Sequence, residues 1–285
     1  MHKKMSKFLL VIAIFTANTS FAQLMDSIVL KDIIWDKTSP AGMGELFIPS
    51  GGSLVPGLIY KPNGTQKHPT LILLHGYPGN ERNLDIAQVV RSHGWNVIYF
   101  NYRGSWGSQG QFSFTNCVED VKNVVSFCKT HADSLRIDTS NIVLFGHSMG
   151  GWICLKALSQ LPGVKKGFAL STWNIGNDLK DIKTQEEMMR KAKTEGEYFV
   201  LNRSIKDIFM PVLDDRPYYD LKNDAPALAN KQVIMLDEHE GNKQLADTIK
   251  STNKSYFNYE VWATDHPFTN KRIALMKKVI AFLDK

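Results

Sequence analysis

Residues 146–151, Gly-His-Ser-Met-Gly-Gly, put one hydroxyl, that of Ser148, between small neighbours. An apolar run, Ile142-Val143-Leu144-Phe145, stops at Gly146. A helix-period apolar run then begins: Trp152, Ile153, Leu155, Ala157, Leu158. A serine hydroxyl is a poor nucleophile, and it needs a base for its proton and a polar cradle for the oxyanion it creates. A sharp strand-to-helix turn lifts the side chain off the sheet edge and aims the first helical N–H groups at the reacting oxygen. Glycines two residues to either side relieve the crowding that such a turn produces. The pattern G-x-S-x-G alone arises by chance roughly once in ten chains of this length. Its position between an apolar strand and an apolar helix is what gives it weight.

The elements around it alternate. Residues 69–74, 96–101, 141–145 and 166–172 read as strands. Residues 82–94, 117–131 and 151–161 read as the helices between them, with Gly94 stopping the first. Apolar strands separated by helices predict a parallel sheet buried on both faces. Residues 27–35, 44–49 and 55–60, punctuated by Gly and Pro, read as antiparallel strands leading into it. The alternation breaks near residue 173. Residues 174–217 are charged and helix-prone, with Met188, Met189, Phe199, Leu201, Ile205, Ile208 and Phe209 embedded, and predict a helical excursion after the sixth strand, a candidate lid. Strands at 232–236 and 256–263 and a closing helix complete the pattern. No repeat or low-complexity linker divides residues 23–285, which read as one domain.

Four stretches together resemble the α/β-hydrolase family, especially its serine esterases and peptidase-like members related to dienelactone hydrolases and prolyl oligopeptidases. They are HGYPGN (75–80), NYRGSWGSQG (101–110), GHSMGG (146–151) and TDHPF (264–268). The resemblance implies the α/β-hydrolase fold, with a mostly parallel sheet and helices on both faces. It also implies a catalytic set of Ser148 as nucleophile, His266 as general base and an acid in the loop LDEHEGNK. Histidine titrates near neutrality, so it can take the serine proton and return it to the leaving group. In many relatives the acid lies about five residues beyond the last apolar residue of the strand. That position is Gly241, which makes Glu240 the nearest candidate, followed by Asp237 and then Glu238. The oxyanion hole is expected from the backbone N–H groups of Met149 and Tyr77, and Tyr77 and Trp106 are expected to line the substrate pocket. His75 and His147 are expected to shape loops.

Composition bounds the rest. The chain has 285 residues and a formal charge of +6. Its start is basic, Phe8–Phe15 is apolar, and Ser20-Phe21-Ala22 has the form of a cleavage site, so residues 1–22 read as a signal peptide for export to the periplasm or medium. Its loss removes three lysines and no acid, leaving about +3, too little to imply a nucleic-acid surface. The apolar run is too short to remain as a membrane span. Cys117 and Cys128, on one expected helix, would stand about 16 Å apart, beyond disulfide reach. No metal-ligand spacing appears and the reaction requires no cofactor. The expected substrate is a small carboxylic ester. A peptidase using the same triad is the alternative, and a non-catalytic binding protein on the same fold the third reading. Aspartate-nucleophile chemistry is disfavoured by Ser148.

Overall fold

The computed structural model describes residues 32–285, so the signal peptide expected at 1–22 lies outside the described residues. A single eight-stranded sheet runs through the molecule in the order β1-β2-β4-β3-β5-β6-β7-β8. β1 (Gly42–Ser50) and β2 (Ser53–Lys61) form an antiparallel hairpin, and β2 pairs antiparallel with β4 (Asn96–Phe100). From β4 through β3 (His68–Leu74), β5 (Ile137–His147), β6 (Lys166–Leu170), β7 (Gln232–Asp237) and β8 (Tyr256–Val261) every pairing is parallel. Of the strand expected at 27–35, only 32–35 are described, and they carry no strand.

The central strands are apolar on both sides because helices cover both faces. One face packs against α2 (Phe114–Thr130), α3 (Met149–Gln160) and α8 (Lys243–Thr252), the other against α1 (Leu84–Ser92) and α9 (Arg272–Leu283). Helix starts follow local chemistry. The Ser113 hydroxyl accepts the Asn116 N–H at 3.0 Å and opens α2, satisfying a donor that the first turn leaves without a partner. The three cysteines are buried and unbonded, with Cys117 and Cys128 at opposite ends of α2.

The chain moves from β3 outward to β4, then returns past β3 to β5. This reversal opens a crevice beyond the carboxyl ends of β3 and β5, where open α/β sheets bind ligands. Residues 75–77 and Ser148 lie at those two ends.

The expected excursion after β6 is helical: α4 (Ile175–Asp178), α5 (Gln185–Glu195), α6 (Ile205–Asp214) and α7 (Arg216–Tyr219), followed by a 3-10 segment, Leu221–Leu228. Thr184 and Glu187 form a reciprocal capping box at the start of α5. Met188, Ile208, Phe209, Val212 and Tyr219 are buried in the main core. The fully buried Trp152 of α3 stacks on Tyr219 at 5.8 Å, and its indole N–H donates to the Tyr219 carbonyl at 2.9 Å. These aromatic contacts couple the base of the excursion to the helix behind the elbow.

Candidate active site

Ser148 sits between β5 and α3 with φ 61° and ψ −120°, a backbone that non-glycine residues rarely adopt. Its neighbours hold it there. Its N–H donates to the Leu170 carbonyl at 2.8 Å, and its own carbonyl accepts the N–H groups of Gly151 and Trp173 at 2.9 and 3.1 Å. The flanking glycines are steric necessities. A Cβ at Gly146 would lie 1.9 Å from the Gly150 carbonyl oxygen, and one at Gly150 would lie 2.0 Å from that of Leu74. The turn therefore presses directly on the end of β3. Met149 occupies the first helical position, where no intrahelical acceptor exists for its N–H. The stretch from His75 to Tyr77 runs alongside: a Cβ at Gly76 would stand only 3.1 Å from that of Ser148.

His75 and His147 brace these loops. Both are buried, and burial pulls each imidazole down to about 4, so both are neutral near pH 7. His75 Nδ1 bonds the Gly76 carbonyl at 2.8 Å, and Tyr102 donates its hydroxyl to the His75 carbonyl at 3.3 Å. His147 Nε2 donates to the carbonyl of His266 at 3.0 Å, and the two rings lie 4.9 Å apart. The residue before the nucleophile thus holds the backbone of the histidine that arrives after β8.

His266 Nδ1 is 2.8 Å from Glu238 Oε1 and 2.9 Å from Ser171 Oγ, and the Ser171 hydroxyl donates to Glu238 Oε2. The Glu238 side chain is 12% exposed and that of His266 52%. Burial alone would raise the Glu238 carboxyl, but the bonds from His266 and Ser171 outweigh it and bring it down to about 2. Glu238 is therefore a carboxylate at any working pH.

This corrects the expectation for the acid. Glu240 is exposed, beginning a short 3-10 turn at Glu240–Asn242, and it is Glu238 that reaches the imidazole. Asp237 is fully buried. It accepts the Thr172 N–H and the Asn242 amide, each at 3.1 Å, and burial raises its carboxyl to about 6. β7 continues through Asp237, which pairs in register with Val261. Side chains alternate along a strand, so Asp237 turns inward and Glu238 turns into the cleft.

Ser148, Glu238 and His266 all line one cleft of about 430 Å³. Tyr77, Trp173 and Tyr198 give it an aromatic wall: the Tyr77 ring lies 5.5 Å from Tyr198 and 6.4 Å from Trp173. Asp178 and Glu195 add carboxylates to the lining, and no arginine or lysine joins them among the described residues. Lys191 bonds Glu195 at 2.7 Å and lies 3.6 Å from Asp178 behind that wall. Trp106, expected in the pocket, is not part of its lining. Its indole N–H donates to the Pro78 carbonyl at 2.7 Å and its ring faces the Arg82 guanidinium at 4.7 Å, so it buttresses the loop after Tyr77. Trp173, Tyr198, Asp178 and Glu195 belong to the excursion or its approach, and no motif marks them in the sequence. The glycine-rich stretch 104–110 binds the middle of the same excursion, between α5 and α6: Trp106 N–H donates to Val200 and Asn202 N–H to Gly104. Among the described residues no cluster of three His, Cys, Asp or Glu side chains is arranged to hold a metal ion.

The arrangement has the parts of an acyl-transfer site: a hydroxyl on a strained turn, helix-start and loop N–H groups beside it, and an imidazole oriented by a carboxylate. Comparison with known proteins agrees with the fold. A cutinase of Thermobifida alba, est2, is 24% identical over 209 residues, covering 72% of this chain. The match spans 61% of that cutinase's length. Brefeldin A esterase, a bacterial homologue of human hormone-sensitive lipase, superposes with a TM-score of 0.64 at 15% identity, over 90% of this chain and 81% of that one. An esterase of Pyrococcus furiosus gives 0.62 at 16% identity, over 89% and 97%. At such identities the two structures speak for the α/β-hydrolase fold. The BD-FAE family matches residues 58–201, just over half of the sequence and the part carrying both the loop after β3 and the turn at Ser148, and the chain belongs to that family.

Proposed function

We propose that this chain is an exported serine hydrolase that cleaves carboxylic esters through an acyl-enzyme. The observation that carries the reading is the Glu238–His266 hydrogen bond at 2.8 Å in the cleft that Ser148 also lines. An ionised Glu238 only accepts hydrogen bonds, so the proton between them stays on Nδ1 and leaves the Nε2 lone pair as the base. Ser148 Oγ attacks the ester carbonyl and passes its proton to His266 Nε2. The N–H groups of Met149 and Tyr77 hold the resulting oxyanion. His266 then returns the proton to the departing alkoxide, and water repeats the sequence to free the acid. Ester substrates fit the family and the relatives, which are cutinases and esterases. The carboxylates of Asp178 and Glu195, only partly offset by Lys191, favour substrates without a carboxylate where they meet this wall. Export rests on residues 1–22, whose basic start, apolar run and small-residue close match a signal peptide.

The test is a fluorophosphonate probe followed by nitrophenyl esters and peptide anilides. The wild-type protein is expected to label and to hydrolyse the esters faster than the anilides, and Ser148→Ala to do neither. Labelling that survives the substitution refutes the nucleophile; faster anilide cleavage would make the enzyme a peptidase.

A further inference from the structure

Ser171 directly follows β6 and lies beside the Glu238–His266 pair. It is 5% exposed, and its backbone is left-handed, with φ 49°. Serine is strained in that region and glycine is not. The rest of its environment is fixed: its N–H donates to the Leu236 carbonyl at 2.7 Å. Its hydroxyl has one hydrogen and two lone pairs, and two partners use them. The hydrogen goes to Glu238 Oε2. A lone pair faces His266 Nδ1 at 2.9 Å, so the single Nδ1–H lies between Ser171 Oγ and Glu238 Oε1.

We propose that Ser171 is a positioning residue, clamping the Glu238 carboxylate to the His266 imidazole so that Nε2 stays turned toward Ser148. The inference rests on the triad reading above and adds a fourth side chain to it. Three facts support it. Both carboxylate oxygens of Glu238 are engaged, one by each partner, which prevents the group from rotating away. The carboxyl is held down at about 2 against its own burial. And a residue type poorly suited to the local backbone is kept where its hydroxyl meets two reacting-site groups. The other titratable groups facing the pair are His239, whose Nε2 lies 3.8 Å from Glu238 Oε1, the buried Asp237, and His147 against the His266 ring.

The experiment compares Ser171→Gly and Ser171→Ala with the wild type for kcat and KM from pH 4 to 9 and for thermal midpoint. Glycine relieves the backbone while removing the hydroxyl, so Ser171→Gly should melt no lower than the wild type yet lose about tenfold in kcat, with KM within about twofold. Ser171→Ala, which keeps the strain, should show the same kinetic loss at a lower midpoint than Ser171→Gly. A Ser171→Gly enzyme whose kcat superimposes on the wild type overturns the clamp, as does a loss carried by KM alone. If Ser148→Ala still turns over ester, the triad reading itself fails; if that variant is inactive and Ser171→Gly is normal, only the clamp does.

Discussion

The turn at Ser148 and the excursion across the cleft from it are built by opposite means. The turn is held by backbone: glycines that admit no Cβ, carbonyls that accept neighbouring N–H groups, and a buried histidine on the carbonyl of His266. The excursion wall is made of side chains, namely Trp173, Asp178, Glu195 and Tyr198, with Lys191 behind two of them. Backbone fixes where bonds break and is costly to alter. Side chains on helices set which molecule arrives and can be exchanged singly. Under the function proposed here, the contrast assigns rate to one region and selectivity to the other.

The strongest challenge to that division is at Glu238. Glu238→Gln is expected to lower kcat about a thousandfold by permitting the wrong imidazole tautomer, whereas Glu240→Gln should stay within about twofold. Steady-state kinetics on one nitrophenyl ester decides it, and equal losses would mean that orientation does not reside in the Glu238–His266 bond. A smaller effect belongs to the wall. The Asp178→Asn, Glu195→Gln double variant should raise the ratio of kcat/KM for an anionic ester to that for its neutral analogue about fivefold at low salt, less at high salt. An unchanged ratio would remove selectivity from the excursion. The mildest effect on turnover is expected from His147→Gln, whose amide can still donate to the His266 carbonyl. Its signature is in stability. His147 is held at about 4 in the fold against 6.5 when free, so between those values the unfolded chain binds the extra proton and stability falls as pH falls. Denaturant unfolding at pH 7 and pH 4.5 should therefore show a smaller acid loss in His147→Gln than in the wild type.

The two regions also differed in how far their sequence could be read. The turn was legible because its constraint is local: an apolar strand, a serine flanked by glycines and an apolar helix determine one another within a dozen residues. His266 was legible for a similar reason, following the last strand at short range. The acid was not. Asp237, Glu238 and Glu240 are equivalent by composition, and what separates them is the direction each side chain takes at the end of β7. Counting about five residues past the last apolar residue overshoots, because the carboxylate that meets His266 comes directly after β7, whose end is the buried, hydrogen-bonded Asp237. The wall was least legible. Its residues reach the cleft only because Met188, Phe209 and Tyr219 anchor the excursion in the core, a long-range outcome that no motif encodes. Trp106 looked like a pocket residue for being aromatic beside glycines, and its indole serves the Pro78 carbonyl instead.

A side-chain bond adds to the backbone bond from Trp173 to Ser148 in joining the two regions. The Tyr77 hydroxyl donates to the Gly196 carbonyl at 3.1 Å, and Tyr77 also carries one of the N–H groups assigned to the oxyanion. Displacing the far wall to admit a bulky guest would tug the strap beneath the reacting carbonyl. Oversized esters should then be penalised in turnover as well as in affinity, so that fit at the rim is read out at the centre.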